Sequence, residues 1–296
     1  MKVDRPKVGV VDIGTNSMRL LITDGVNEDG RWVEVTGLGS GVDISGVLSA
    51  EAISRTIGVF ERYEAIMNDL GVEHRVAIAT SASRDATNSQ GFLDRAERAL
   101  GVRPRVISGD AEARYAFAGA TQGQETAGVV VSDIGGGSTE FVTVDTAKSV
   151  DIGSVRLTER RLTDRPPDPE QISLAVEDVV AHFSEIDHGE ITNHIGVAGT
   201  WTSIAAIAQD LPSYDRTRVH GFVLTNKLLN QVAERLKPLT IRDTAAIPSL
   251  DPKRAPVILA GTVIASVIVE TLGVEKTTIS EQDSLDGAAM KLLALL

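Results

Sequence analysis

Short runs of consecutive apolar residues alternate along this chain with longer stretches whose apolar positions recur at helical spacing. Runs of the first kind read as buried strands and stretches of the second as amphipathic helices. Residues 8–11 open the sequence as a strand, with further strands at 19–24 and 32–38. Residues 50–70 place Ile53, Ile57, Phe60, Ile66 and Leu70 on one helical face and stop at Gly71, a residue suited to ending a helix. A strand at 76–79, a helix at 89–100, a strand at 103–107 and a helix at 111–120 complete this half. The order then restarts with strands at 128–131, 140–144 and 149–152 and a long helix at 169–184. A strand at 195–198 runs into a helix at 201–209. Strands alternating with helices predict an α/β fold. Proline clusters at Pro166, Pro167 and Pro169, and at Pro248 and Pro252, read as loops. The apolar run 257–269 is too short to span a bilayer and contains Gly261, Thr262 and Ser266, which predicts a buried helix.

One pattern occurs twice. Residues 8–19 read V-G-V-V-D-I-G-T-N-S-M-R and residues 129–140 read V-V-V-S-D-I-G-G-G-S-T-E. Asp12 thereby corresponds to Asp133, Gly14 to Gly135, Ser17 to Ser138 and Arg19 to Glu140. Each copy is an apolar strand ending in Asp-Ile-Gly, a tight polar turn and a second apolar strand. Such a turn can aim backbone N–H groups at an anion, and glycine lets that backbone come close because no Cβ intervenes. A single copy would read as a hairpin with a structural aspartate. The matched pair predicts two related lobes whose loops face each other across a cleft suited to a phosphate chain. The lobes are expected at 1–121, completed by a C-terminal helix over 285–296, and at 122–284.

Charge narrows the ligand. The 296 residues carry a net charge of −12, with 42% hydrophobic residues and no cysteine. An acidic chain lacks the broad basic footprint of a nucleic-acid binder, so a polyanion must be met by local arginines, backbone donors and a divalent cation. The absence of cysteine excludes disulfides and thiol chemistry and fits a cytoplasmic protein. No signal peptide or membrane span is evident. His74, His182, His188, His194 and His220 lack zinc-type spacing, and each reads as a core or surface histidine.

Three strand-to-helix junctions carry further chemistry. In V-I-S-G-D-A-E-A-R (106–114), Glu112 falls in the first turn of a helix, where the carboxylate form is favoured. It could accept a proton from water attacking a phosphoryl group, or it could simply complement the helix dipole. In A-T-S-A-S-R-D (79–85), Arg84 reads either as a solvent-exposed arginine or as a group that neutralises developing phosphoryl charge. Residues 197–203 repeat this hydroxyl-rich design with Thr200, Thr202 and Ser203, which capping alone would explain. A Walker-type loop, a dinucleotide fingerprint and a G-x-S-x-G elbow are all missing, so water is the expected nucleophile.

These motifs together resemble the exopolyphosphatase/guanosine pentaphosphate phosphohydrolase (Ppx/GppA) family. The likeness runs through D-I-G-T-N-S-x-R-L-L at Asp12, L-G-x-G-V-D-x-x-G at Leu38, A-T-S-A-x-R-D at Ala79 and S-G-x-x-E-A at Ser108. It continues in D-I-G-G-G-S-T-E at Asp133, I-G-x-V-R-L-T-E at Ile152, G-T-x-T at Gly199 and D-P-x-R-A at Asp251. The resemblance implies two actin-like (ribonuclease H-like) lobes of the sugar kinase/heat-shock chaperone/actin superfold, in the short two-domain form. It implies Mg²⁺-dependent hydrolysis of a terminal phosphoanhydride, with Glu112 activating water and Glu140 as the second essential glutamate. By the same resemblance Asp133, Glu140 and Asp12 are associated with the metal, and Arg84, Asn16, Ser17, Gly136, Gly137 and Ser138 with phosphate. A homodimer is also implied. The chain departs from the family pattern at Ala111, at Gly37 and at Asp286, which stands where many members carry arginine.

The expected substrate is inorganic polyphosphate, with short chains favoured, and guanosine pentaphosphate is the alternative. A kinase-type phosphotransferase and a non-catalytic sensor of polyphosphate or alarmone are the remaining readings. Neither nucleic acid nor membrane is an expected partner.

Overall fold

Six consecutive buried residues, Val8–Ile13, form strand β1. It pairs antiparallel with β2 (Ser17–Thr23), which pairs with β3 (Glu28–Val35). The computed structural model describes residues 5–184, 186 and 191–296; His188 lies outside them. The chain divides into two units, one running to Gly119 and taking in Ser284–Leu296, the other Ala120–Asp283.

In the first unit β3 is followed by helices α1 (Val42–Ser45) and α2 (Ala50–Asp69), then β4 (His74–Ala79). Helices α3 (Ser81–Asp85) and α4 (Ser89–Leu100), strand β5 (Arg105–Val106) and helix α5 (Gly109–Ala120) complete the run. The sheet order is β3-β2-β1-β4-β5, with β1, β4 and β5 parallel. Period-two alternation along β1 sorts its side chains onto two faces. Val11 and Ile13 pack with Phe60, Tyr63 and Met67 of α2 and with Phe92 of α4. Val8 and Val10 pack on the opposite face, against Leu285, Ala288 and Ala289. Asp12 continues the Val8–Val10 series and so points toward that second face.

The second unit contains β6 (Val129–Ile134), β7 (Thr139–Val142), β8 (Ala147–Val150), α6 (Ser154–Arg161) and α7 (Pro169–Phe183). There follow β9 (Asn193–Val197), α8 (Ala198–Ala208), α9 (Arg216–Val219), β10 (Val223–Thr225) and α10 (Asn226–Leu236). Helix α11 (Ile241–Ala245), α12 (Ile258–Thr271) and β11 (Lys276–Ile279) end the unit. Helix α13 (Ser284–Leu293) belongs to the first unit and packs on its sheet through Leu285 and Ala288. The second sheet runs β10-β11-β9-β6-β7-β8. Read from the meander edge, both sheets are three antiparallel strands followed by two parallel ones, and the second adds β10 antiparallel at its far edge, so the sequence repeat is also a repeat of topology. The α/β expectation holds.

Several boundaries differ from the sequence reading. Residues 36–38 were expected to end a strand, but β3 stops at Val35 because Thr36 and Gly37 donate their N–H groups to the Asn16 carbonyl, 3.0 and 2.9 Å away. The 103–107 strand shrinks to an exposed two-residue edge. Helix α6 and strand β11 were not anticipated, since one is rich in arginine and the other reads Lys-Thr-Thr-Ile. The apolar run beginning at 257 is helix α12, buried almost throughout. Among the described residues no helix is long and apolar enough to cross a membrane.

Behind the second glycine turn lies a buried polar network. His194 Nε2 and Ser132 Oγ are 2.9 Å apart, His194 Nδ1 and Thr277 Oγ1 are 2.9 Å apart, and Trp201 Nε1 donates to Ser132 Oγ at 3.0 Å. Burial lowers the His194 pKa to about 3, so the ring is neutral and shares these hydrogen bonds without a charge. Among the described histidines, this one is a core residue.

Candidate active site

The first polar turn is closed by Gly14 N–H donating to the Ser17 carbonyl at 3.1 Å. The second is closed by Gly135 N–H donating to the Ser138 carbonyl at 3.0 Å. A Cβ at Gly14 or Gly135 would stand 2.9 or 3.0 Å from that carbonyl oxygen, which is why both copies require glycine there. Hairpin register then sets Asp12 opposite Arg19 and Asp133 opposite Glu140. Directly opposed residues project from the same face of a sheet. The first hairpin therefore pairs an acid with a base, and the second opposes two buried carboxylates.

In the first unit Arg19 Nε donates to Asp12 Oδ2 at 2.9 Å, Arg19 Nη2 contacts the same oxygen, and Nη2 also donates to Ser284 Oγ at 2.9 Å. Carbonyls of the turn face the 36–39 strap: Gly39 N–H reaches the Thr15 carbonyl at 2.8 Å, and the Asn16 carbonyl accepts from Thr36 and Gly37. In a trans peptide the next N–H points the opposite way, so the amides after Thr15 and Asn16, those of Asn16 and Ser17, face away from the strap. The strap is itself held by α2. Arg55 donates twice to the Thr36 carbonyl, at 3.1 and 3.0 Å, and Thr56 Oγ1 donates to Thr36 Oγ1 at 3.0 Å.

Thr15 Oγ1 accepts the Ala82 N–H at 3.2 Å, tying this turn to α3 and its Arg84. Arg84 Nη1 donates to the Ile107 carbonyl at 2.9 Å and to Glu112 Oε2 at 3.0 Å. The two side chains are only 22% and 15% exposed, so Arg84 is not the solvent-exposed arginine of the plain sequence reading. Glu112 lies in the first turn of α5, and its pKa is raised to about 7. Burial is the largest cause. Arg84 opposes it, the Asp12 charge adds to it, and Arg19 pulls the other way. Desolvation thus overrides the helix-terminus effect expected from sequence.

In the second unit the turn carbonyls point at α6. Gly135 O accepts Ser154 N–H at 2.9 Å, Gly136 O accepts Val155 and Arg156 N–H at 2.8 and 3.1 Å, and Gly137 O accepts Arg156 Nε–H at 2.8 Å. The N–H groups of Gly136, Gly137 and Ser138 consequently face away from α6, and among the described residues no protein group accepts them. Three successive outward amides make an anion nest. Asp133 and Glu140 beside it are 5% and 1% exposed, and Ser149 Oγ donates to Glu140 Oε1 at 2.8 Å.

The donor chemistry can be tested against Mg²⁺. That ion is usually held by one or two carboxylates together with substrate phosphates. Two buried carboxylates set directly opposite each other repel unless positive charge lies near them, so Asp133 and Glu140 fit such an ion. Asp12 fits it less well, because Arg19 already engages its Oδ2. Among the described residues no three His, Asp or Glu side chains converge as a self-sufficient metal cluster. A site completed by substrate oxygens does not require one.

Sequence reading missed Arg19 as the partner of Asp12, although the turn closure alone implies it, and missed Arg55, Thr56 and Arg156 as supports of the turns. Asp286, whose departure from the family pattern had no explanation, accepts from Arg31 Nη2 at 2.6 Å and fastens α13 to β3.

A model described as the Ppx/GppA phosphatase family matches residues 30–294. The chain is 34% identical to a Mycobacterium tuberculosis protein named exopolyphosphatase 2, covering 97% of this chain and 98% of that protein. It is 27% identical to a Pseudoalteromonas translucida guanosine-5'-triphosphate,3'-diphosphate pyrophosphatase, covering 99% of this chain and 60% of that one. A crystal structure titled as an exopolyphosphatase-like protein superposes with a TM-score of 0.93 at 35% identity, over 98% of this chain and 100% of the other.

Proposed function

We propose that this chain, which belongs to the Ppx/GppA phosphatase family, hydrolyses the terminal phosphoanhydride bond of inorganic polyphosphate and releases orthophosphate. The observation that carries this reading is Glu112, a carboxyl raised to about 7 and hydrogen-bonded to Arg84. A general base works best when its pKa lies near the operating pH.

In the proposed step Glu112 takes a proton from water as the water oxygen bonds to the terminal phosphorus. The bridging P–O bond breaks, and its electron pair stays with the shortened polymer. Arg84 holds the Glu112 carboxylate and brings positive charge to it. The N–H groups of Gly136, Gly137 and Ser138 hold phosphoryl oxygens, as do the turn amides and side chains of Asn16 and Ser17. Asp133 and Glu140 would hold Mg²⁺, which when bound neutralises phosphoryl charge.

Guanosine pentaphosphate presents the same terminal anhydride, and the Pseudoalteromonas relative is named for that chemistry. Phosphate release measured side by side on polyphosphate, guanosine pentaphosphate and ATP, with and without Mg²⁺, tests the proposal. Polyphosphate should give the highest kcat/KM. Faster turnover of guanosine pentaphosphate would reassign the substrate, and transfer from ATP to an acceptor other than water would replace hydrolysis altogether.

A further inference from the structure

Three carbonyls of the second glycine turn are held toward α6, but not by the same kind of group. Those of Gly135 and Gly136 are taken by the backbone amides of Ser154, Val155 and Arg156. Any sequence that begins a helix at that place supplies these donors. The Gly137 carbonyl accepts instead from one side chain, Arg156 Nε, at 2.8 Å. In the first unit the carbonyls corresponding to those of Gly136 and Gly137 are held by backbone N–H groups, Thr15 O by that of Gly39 and Asn16 O by those of Thr36 and Gly37. The second turn alone depends on a side chain for the direction of one peptide.

That peptide joins Gly137 to Ser138. Its carbonyl and its N–H point in opposite directions, so the bond that holds Gly137 O toward α6 holds Ser138 N–H away from it. Glycine gives little resistance to rotation of an adjoining peptide. We infer that Arg156 is a positioning residue, whose Nε–H fixes the Gly137–Ser138 peptide and thereby presents the Ser138 N–H to a phosphoryl oxygen. The inference rests on the phosphate-binding reading of this turn, and it assigns the effect to a single donor atom and not to the charge of the guanidinium.

Side-chain topology separates the two. Glutamine places its Nε2 on Cδ, as arginine places Nε, so Arg156→Gln keeps a donor there and removes the charge. Arg156→Lys keeps a charge and has carbon at that position. Arg156→Met keeps neither. Loss of one hydrogen bond of this kind is worth about tenfold in binding. The Lys and Met variants should raise KM for polyphosphate about tenfold with kcat little changed, and the Gln variant should stay within about threefold of the parent. A parent-like Lys variant beside an impaired Gln variant would overturn the inference in favour of direct charge contact. Three parent-like variants would overturn it as well, and so would a Gln variant as impaired as Met with an unchanged melting temperature.

A second readout does not need turnover. The Ser138 amide resonance should respond to inorganic tripolyphosphate in the parent and in Arg156→Gln, and lose that response in Arg156→Met. An equal response in all three would overturn the inference. If the parent protein released no phosphate from any anhydride, the functional reading would fail, and the Ser138 response would still decide the role of Arg156.

Discussion

Arg84 and Glu112 meet through a single 3.0 Å hydrogen bond, and the same Arg84 nitrogen also donates to the Ile107 carbonyl just before α5. The arginine thereby holds both the proposed base and the segment that delivers it. Because Arg84 lowers a pKa that burial has raised to about 7, the rising limb of kcat/KM should be centred near neutral pH. Arg84→Met should move that limb to higher pH. Glu112→Gln should lower kcat by about 100-fold or more while sparing most of the substrate binding. Pre-steady-state and steady-state phosphate release across pH 5.5–9 check both, and an unmoved limb in Arg84→Met would remove Arg84 from this role.

The same shift has a stability consequence of known sign. A carboxyl whose folded pKa is raised from 4.5 to about 7 stabilises the fold below pH 4.5 and loses that contribution as pH rises through 7. The ionised Glu112 carboxylate thus destabilises the fold above neutral pH. Glu112→Gln, which removes that charge, should therefore melt higher than the parent protein at pH 8, and the gap should narrow toward pH 4.5. Differential scanning calorimetry at the two pH values measures it.

His194 runs the opposite way. Its folded pKa is lowered from 6.5 to about 3 by burial, so the unfolded chain binds a proton below pH 6.5 that the folded chain refuses. Its contribution is complete above pH 6.5 and declines as pH falls toward 3, at up to about 1.4 kcal/mol per pH unit. Urea titrations at pH 7.5 and 5.0, followed by Trp201 fluorescence in a Trp32→Phe background, should show this loss. In His194→Gln the loss between those two pH values should shrink, although the variant is weaker at both because the Ser132 and Thr277 hydroxyls lose their partner.

Arg31 and Asp286 form a largely buried ion pair at 2.6 Å, their side chains 9% and 14% exposed. Asp286→Asn leaves Arg31 with Glu28 at 3.3 Å. The expected cost is about 2 kcal/mol, between the values for exposed and fully buried pairs. Helix α13 should become the first site of limited proteolysis in that variant, with little change in stability elsewhere.

How much of this was legible from the residues varies with the range of the interaction. The twin hairpins were readable because strand, turn and strand are contiguous and each glycine is demanded by a carbonyl three residues on. Glu112 was readable as a base candidate, but not its raised pKa, which depends on what α5 is buried against. Arg19 could have been found by counting outward from the turn, since Gly14 closing on Ser17 sets residue 12 opposite residue 19. Helix α6 escaped because its first-turn amides serve the turn of another segment, and Arg156 looks like any surface arginine until its Nε is seen on Gly137. Strand β11 escaped because Lys-Thr-Thr-Ile carries no apolar run, and its pairing with β9 and β10 is what makes it a strand.

The two hairpins differ in one respect that bears on the proposed cation. At corresponding positions the first carries Asp12 and Arg19, whose charges cancel, and the second carries Asp133 and Glu140, whose charges add. A divalent ion lowers the energy of the second arrangement and competes with Arg19 in the first. Removal of Mg²⁺ by EDTA should abolish phosphate release, and restoring the ion should recover it. Asp133→Asn and Glu140→Gln should each raise the Mg²⁺ concentration for half-maximal activity by about tenfold or more, each removing one of a pair of carboxylate ligands. Glu112→Gln should lower the plateau and leave that concentration unchanged. Asp12→Asn should behave like a structural change beside Arg19, lowering stability without moving the Mg²⁺ dependence. A Mg²⁺ titration that shifts in Asp12→Asn and stays fixed in Asp133→Asn would place the ion on the first hairpin instead.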